Sequence, residues 1–206
     1  MTGAGGCPPL IDIDMGYTYK HGTDLRCHIR TSERYEDLVR SEAISDIFLA
    51  FDEAGLFDRK IKPVDLRAQI DFEDNRYRAV KSAIERTVDE WGKNGARVWI
   101  IEDIPDVDWG RFQRCVWSQD SIDRCSDALV FHNQNVDYAR MLDELEANGY
   151  FILRTRNGLV DQRLVTGDGS QLFFRDATHL TKYGSEKIFD NRSLLLEVER
   201  QAPSGK

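Results

Sequence analysis

The stretch YRAVKSAIERTVDEWGKNGARVWII, residues 77–101, decides the fold because its hydrophobic period changes along its length. The apolar residues first recur at three- and four-residue spacing, which predicts an amphipathic helix from Glu73 to about Lys93. Gly95 ends that helix, and the apolar run from Arg97 to Ile101 predicts a buried strand. A helix that leads into a buried strand is typical of a parallel sheet.

The same alternation extends in both directions from this stretch. Helices are predicted at about 31–44, 137–147 and 181–198, strands at 46–51, 150–153 and 171–174, a turn at 166–169 and loop-like chain over 1–30. Strands separated by helices of this length predict an α/β fold, a parallel sheet covered on both faces, whose ligands bind beyond the carboxyl ends of the strands. No internal linker divides the chain, so we expect a single domain over residues 1–200 and a disordered tail over 201–206.

Charge and hydropathy exclude several classes of function. The chain has 206 residues, with 28 lysines and arginines against 36 aspartates and glutamates, and a net charge of −8. An acidic chain gains little from a phosphate backbone, so no nucleic-acid partner is expected. No apolar run reaches the roughly 18 residues that cross a bilayer, and the first residues lack the basic leader and apolar stretch of an export signal.

Asp176 and His179 are the candidate catalytic residues. They lie three residues apart where a predicted strand meets a predicted helix, in the segment FFRDATHLTKYG at residues 173–184. A carboxylate that accepts the proton of one imidazole nitrogen leaves the other nitrogen as a general base. Thr181 is expected to cap the following helix, and Gly184 to allow that helix to pack closely. In the alternative interpretation, Asp176 caps a turn and His179 is a partly buried histidine with its hydrogen bonds satisfied.

The cysteines fall into two local pairs, Cys7 with Cys27 and Cys115 with Cys125. Two disulfides that close short surface loops, four reduced thiols and a metal site are the alternatives. Zinc favours tighter Cys-x-x-Cys spacing, which is absent, so no metal is expected. Disulfides require an oxidising compartment.

The remaining polar and aromatic candidates have ordinary interpretations. Asp103, Asp106 and Asp108 lack the glycine and glutamate of a calcium loop and are expected to be a solvated acidic loop. Three arginines could contact an anionic glycan, but we expect them to be solvated charges. We expect the four tryptophans to be core or surface-anchor residues. The arginines are Arg154, Arg156 and Arg163, and the tryptophans are Trp91, Trp99, Trp109 and Trp117.

The Asp-x-x-His segment resembles the last block of SGNH hydrolases, and resembles more closely the variant fused to the membrane acyltransferases that O-acetylate cell-surface glycans. Two other stretches are similar to that variant: Gly6-Cys7-Pro8-Pro9-Leu10, with Cys27 downstream, and residues 98–105, which precede Cys115. Residues 46–51 stand where the family has its middle strand. The resemblance spans residues 7 to 189 in the right order.

The resemblance implies a three-layer α/β/α domain and an acyl transfer without a cofactor or metal. A serine would take the acetyl group, His179 would transfer protons, Asp176 would orient the imidazole, and a sugar hydroxyl or water would receive the acetyl. The partners implied are an acetylated glycan and a membrane acyltransferase domain, in the periplasm or another extracytoplasmic space.

One departure concerns the nucleophile. The family's serine lies on a Gly-Asp-Ser-His-like turn after a first strand, upstream of the Cys-Pro-Pro segment, and only six residues precede Cys7. Ser170 follows Gly-Asp-Gly but precedes a strand, which is the wrong context for a nucleophile. We therefore expect an inactive or partial catalytic unit. The alternatives are a non-catalytic module that binds glycan or docks onto a membrane partner, and an esterase with another nucleophile.

Overall fold

The computed structural model describes residues 10–18, 24–25, 44–51, 56–57, 62–65, 76–105, 107–118, 135–155, 160–161, 163–164, 167–168, 171–176 and 179–189. The chain divides into two compact units. The first comprises residues 1–101 and 135–152, and the second comprises residues 102–134 and 153–206.

The strands in chain order are β1 (Ile13–Thr18), β2 (Asp24–Leu25), β3 (Asp46–Ala50), β4 (Lys62–Asp65), β5 (Arg97–Ile101), β6 (Phe151–Leu153), β7 (Val160–Asp161), β8 (Arg163–Leu164), β9 (Gly167–Asp168) and β10 (Gln171–Leu172). The helices are α1 (Arg76–Gly92), α2 (Trp109–Ser118), α3 (Val136–Ala147) and α4 (Lys182–Phe189). The helix and strand predicted within residues 77–101 are both confirmed.

A parallel sheet with the order β3-β5-β6 contributes to the hydrophobic core of the first unit. β3 and β5 run parallel, in a register that pairs Asp46 with Arg97 and Ala50 with Ile101. Alternate residues of these strands point to one face and are buried because strand side chains alternate. They pack with apolar residues of the two long helices: Leu49, Val98, Ile100 and Ile152 from the strands, Val80, Ala83 and Ile84 from α1, and Met141, Leu142 and Leu145 from α3. The predicted α/β class is confirmed.

The ends of the two core helices follow from local chemistry. The side chain of Asn135 caps α3 by accepting hydrogen bonds from the backbone N–H groups of Asp137 and Tyr138. After the two helices, Gly95 and Gly149 have φ angles of +87° and +90°, which glycine adopts at little cost. The predicted ends of both helices are therefore confirmed.

Several elements differ from the sequence prediction: β2 lies in the predicted loop, β4 was not predicted, and β9 occupies part of the turn predicted at 166–169. The two largest differences are β1 and α2. Residues 13–18, expected to be loop-like, form β1, which pairs antiparallel with β4 and with β2. Its apolar residues alternate with Asp, Gly and Thr, a strand period hidden by residue types that usually mark turns. α2 was not predicted because its apolar pattern is short. It is interrupted by Gly110 and by three polar side chains, two arginines and a glutamine. The helix predicted at 31–44 and the tail at 201–206 lie outside the described residues.

One carboxylate joins β3 to β5 at the start of both strands. Asp46 accepts hydrogen bonds from Arg97 Nε at 2.7 Å, from Arg97 Nη2 at 2.9 Å, from Trp99 Nε1 at 3.0 Å and from Ser45 Oγ at 2.9 Å. The Arg97 guanidinium, more than any other neighbour, holds the pKa of Asp46 below its ordinary value of 3.8. The pair ties together two strands that lie far apart in the chain.

We expect Asp46→Ala to lower the free energy of unfolding by about 2 kcal/mol, between the values typical of surface and buried pairs. Because the folded-state pKa of Asp46 is lowered, its contribution is present above pH 3.8 and is lost as the pH falls below that value. Urea unfolding at neutral pH and at pH values below 3.8 measures both effects. Asp137→Asn, which removes an exposed partner of Arg140, is the matched control; equal losses in the two variants would contradict the prediction.

Candidate functional site

The loop that carries Asp176 and His179 is closed at its base by backbone pairing. Phe174 and Leu180 form an antiparallel bridge, and the Arg175 N–H donates to the carbonyl oxygen of His179 at 2.8 Å. The loop connects β10 to α4 within the second unit. The pairing therefore holds the two ends of the loop, next to positions 176 and 179, close together.

The structure brings the two predicted side chains into contact. Asp176 Oδ1 lies 2.7 Å from His179 Nδ1 and also accepts a hydrogen bond from the His179 backbone N–H at 2.9 Å. The imidazole side chain is 63% exposed and the carboxylate 40% exposed. Both are therefore open to solvent.

The contact sets the chemistry that this pair can perform. An ionised carboxylate only accepts hydrogen bonds, so Nδ1 is the nitrogen that carries the proton. Nε2 then holds the basic lone pair, which is the arrangement of a general base with an orienting acid. The bond to the backbone N–H shows that Asp176 also caps the turn. The turn-capping part of the alternative interpretation is confirmed, but its partly buried His179 was wrong because the side chain is 63% exposed. The catalytic role of the pair stays a prediction.

Arg175 adds a positive charge beside the pair. Its Nε lies 3.5 Å from Asp176 Oδ2, the carboxylate oxygen that does not contact the imidazole. Both side chains are well exposed, and such a pair contributes little to stability. Asp176 is thus placed between a guanidinium and an imidazole.

The start of α4 packs against the strand that precedes the loop, as Thr181 and Gly184 predicted. Thr181 Oγ1 donates to the carbonyl oxygen of Leu172 at 2.6 Å and accepts from the Gly184 N–H at 3.0 Å. A Cβ atom on Gly184 would lie 2.2 Å from the carbonyl oxygen of Phe173. The expected roles of Thr181 as a cap and Gly184 as a close-packing residue are confirmed.

A second polar cluster lies where β5 and β6 end. Glu102, 3% exposed, has its Oε1 3.7 Å from Arg154 Nη1. Thr155 Oγ1 donates to the carbonyl oxygen of Glu102 at 3.0 Å. The expectation of a solvated Arg154 was wrong: its side chain is only 15% exposed, because both strands end beside each other. The sequence predicted a strand directly before Glu102 and another directly before Arg154. It did not predict that these two strands are neighbours in the sheet.

The tryptophans divide between core and surface. Trp91 and Trp99 are buried in the first unit, as expected of core residues, whereas Trp117 at the end of α2 is 81% exposed. Trp109 contacts Phe112 on the same helix, with the ring centres 5.5 Å apart. The core interpretation therefore does not apply to Trp117, and its surface-anchor role stays a prediction.

Several predicted residues lie outside the described part of the chain. They are Cys7, Cys27, Cys125, Asp106, Arg156 and Ser170, while only the backbone of Cys115 and Arg163 is described. The two disulfides stay predictions. Within the described ranges, no group of three or more His, Cys, Asp or Glu residues could hold a metal ion. None of the described helices has the length and apolar character needed to span a membrane.

Comparisons with known proteins agree with the residue motifs. Residues 1–191 match the family model for the SGNH domain (fused to AT3 domains). The curated proteins contain no significant match. Among solved structures, the periplasmic domain of the lipopolysaccharide acetyltransferase of Salmonella ser. Paratyphi A has a similar fold. It is 14% identical, with a TM-score of 0.56 over 92% of this chain and 69% of that one. At this identity the likeness shows the fold alone.

Proposed function

The chain belongs to the family of SGNH domains that are fused to AT3 domains, and we propose that it performs the proton transfers of acetyl transfer to a cell-surface glycan. Its working partner is a membrane acyltransferase domain, and its location is the periplasm or another extracytoplasmic space. The family supports the partner. The similar fold of a periplasmic acetyltransferase domain supports the location and the acetyl group.

In the proposed mechanism, His179 is the general base and acid, and Asp176 is its positioning residue. Nε2 removes the proton from the attacking hydroxyl as that oxygen bonds to the acetyl carbonyl carbon. The imidazolium then returns the proton to the leaving oxygen when the old ester bond breaks. Asp176 holds the proton on Nδ1 and stabilises the imidazolium. The 206-residue sequence contains no Gly-Asp-Ser-His turn, so the proposal assigns the proton transfers and not the nucleophile.

The observation that carries this proposal is the 2.7 Å contact between Asp176 Oδ1 and His179 Nδ1 on an exposed ring. Asp176→Asn tests it directly. Asparagine keeps the side-chain oxygen that accepts from the His179 backbone N–H, and so keeps the turn. It removes the negative charge, and we expect the rate of acetyl transfer to fall by about 10²- to 10⁴-fold. The rate is measured as the incorporation of labelled acetyl into surface glycan by cells that carry the intact gene.

Glu186→Gln is the matched control because it removes a carboxylate from α4, where Glu186 pairs with Lys182 at 3.6 Å. We expect it to leave the rate unchanged. Nitrogen NMR of the imidazole adds a second readout, since the Nδ1–H form should dominate in the wild type and lose its dominance in Asp176→Asn. An Asp176→Asn protein with the wild-type rate would refute the proposal and leave Asp176 with a turn-capping role alone.

A further inference from the structure

The exposed face of α2 is a feature that acetyl transfer at Asp176 and His179 does not use. Arg111, Arg114, Trp117 and Ser118 are all exposed. At 100° per residue they share about a third of the helix circumference. The opposite side is anchored by Phe112, which is 1% exposed. We call these four exposed residues the Trp117 face.

The Trp117 face is basic in an acidic protein. α2 contains two arginines and no aspartate or glutamate, although the chain carries a net charge of −8. Neither guanidinium has an ion-pair partner within the described ranges. Arg114 Nη1 and Asp108 Oδ1 each lie 3.8 Å from the point where a Cβ atom of Gly110 would stand, so one carboxylate borders the face at its start. An indole that is 81% exposed, on the same helix face as two guanidinium groups, fits an anionic ligand that also offers a flat apolar surface.

We propose that the Trp117 face is a binding subsite for an acidic saccharide, with one sugar ring stacked on Trp117 and the carboxylate or phosphate of a neighbouring sugar bound by Arg114 and Arg111. A pyranose ring presents an apolar C–H face of about the size of an indole, and guanidinium groups bind carboxylate and phosphate in bidentate geometry. The subsite deepens the proposed function and rests on it for the role of the glycan, since it would hold the acceptor chain on this domain.

A lipid surface fits these observations less well. A helix that lies in a membrane interface inserts several large apolar side chains. The apolar side of α2 is turned inward with Phe112, and Trp117 is the one large apolar side chain of the described α2 that is strongly exposed. One exposed indole is large enough to stack with one sugar ring, whereas membrane insertion requires several such side chains.

Calorimetry on the purified 206-residue chain tests the subsite with three probes. They are an oligogalacturonate, a malto-oligosaccharide of equal length, and vesicles of phosphatidylglycerol and phosphatidylcholine. We expect the oligogalacturonate to bind best, and Trp117→Ala to weaken its binding by about tenfold or more. Arg114→Gln should remove the preference for the acidic probe. The exposed positions make folding losses small, and circular dichroism of each variant checks this.

Two variants in the first unit serve as matched controls. Arg78→Gln removes an exposed helical arginine and Val136→Ala an exposed apolar side chain; both should bind as the wild type does. Unchanged binding in Trp117→Ala, equal binding of both saccharides, or binding of vesicles alone would overturn the subsite. Saccharide binding by the purified chain and acetyl incorporation by Asp176→Asn cells are measured independently, so loss of the subsite and loss of the proposed function are separate results.

Discussion

Replacing His179 by alanine is expected to abolish acetyl transfer, with a rate at least about 10⁴-fold below that of the wild type. The imidazole is the group that accepts and returns the proton in the proposed mechanism, and Asp176 alone cannot take its place. The side chain is 63% exposed, so its removal should leave the free energy of unfolding nearly unchanged. The assay is labelled acetyl incorporation by cells that carry the intact gene, beside urea unfolding of the purified chain.

The same variant separates the two classes of function that the sequence left open. A non-catalytic module that binds glycan or docks onto a membrane partner needs no base, so His179→Ala would leave the acetyl content of the glycan unchanged. Lys182→Gln, at the first residue of the adjacent α4 and 90% exposed, is the matched control for a change of an exposed polar side chain next to the loop. Wild-type acetylation in His179→Ala would reject the enzymatic proposal and favour the module.

The elements that could be predicted from the sequence are those whose own periodicity reports their burial. α1 and α3 show a helical apolar stripe, and β5 a short apolar run, because each faces the core of the first unit. The contact between Asp176 and His179 was also predictable, since residues three apart in a turn can place both side chains on one side. In each case the relevant partners lie within one short segment.

The features that were missed depend on partners far apart in the chain. β1 forms because residues 13–16 pair with residues 62–65 of β4. The residues of β1 do not themselves indicate that partner. The burial of Arg154 likewise depends on Glu102, which ends the neighbouring strand. A local pattern shows that a residue follows a strand, but the order of strands in the sheet decides which charges meet.

Gly184→Ala is expected to destabilise the chain by about 3 kcal/mol or more, although alanine is the better helix former. The new Cβ would lie 2.2 Å from the Phe173 carbonyl oxygen and 2.7 Å from the Phe173 Cα. That oxygen accepts from the Thr181 N–H at 2.7 Å, so it cannot move without opening the base of the loop. Because His179 lies on this loop, the acetyl-transfer rate should fall with stability.

The sign of this effect distinguishes close packing from helix propensity. Gly92, in the last turn of α1, has open space where a Cβ would stand, with no atom within 4 Å, so Gly92→Ala should be neutral or stabilise by up to about 1 kcal/mol. Urea unfolding of both variants measures the difference. If Gly184→Ala were as stable as Gly92→Ala, α4 could not be packed on the Phe173 carbonyl, and the backbone that holds Asp176 against His179 would lack its support.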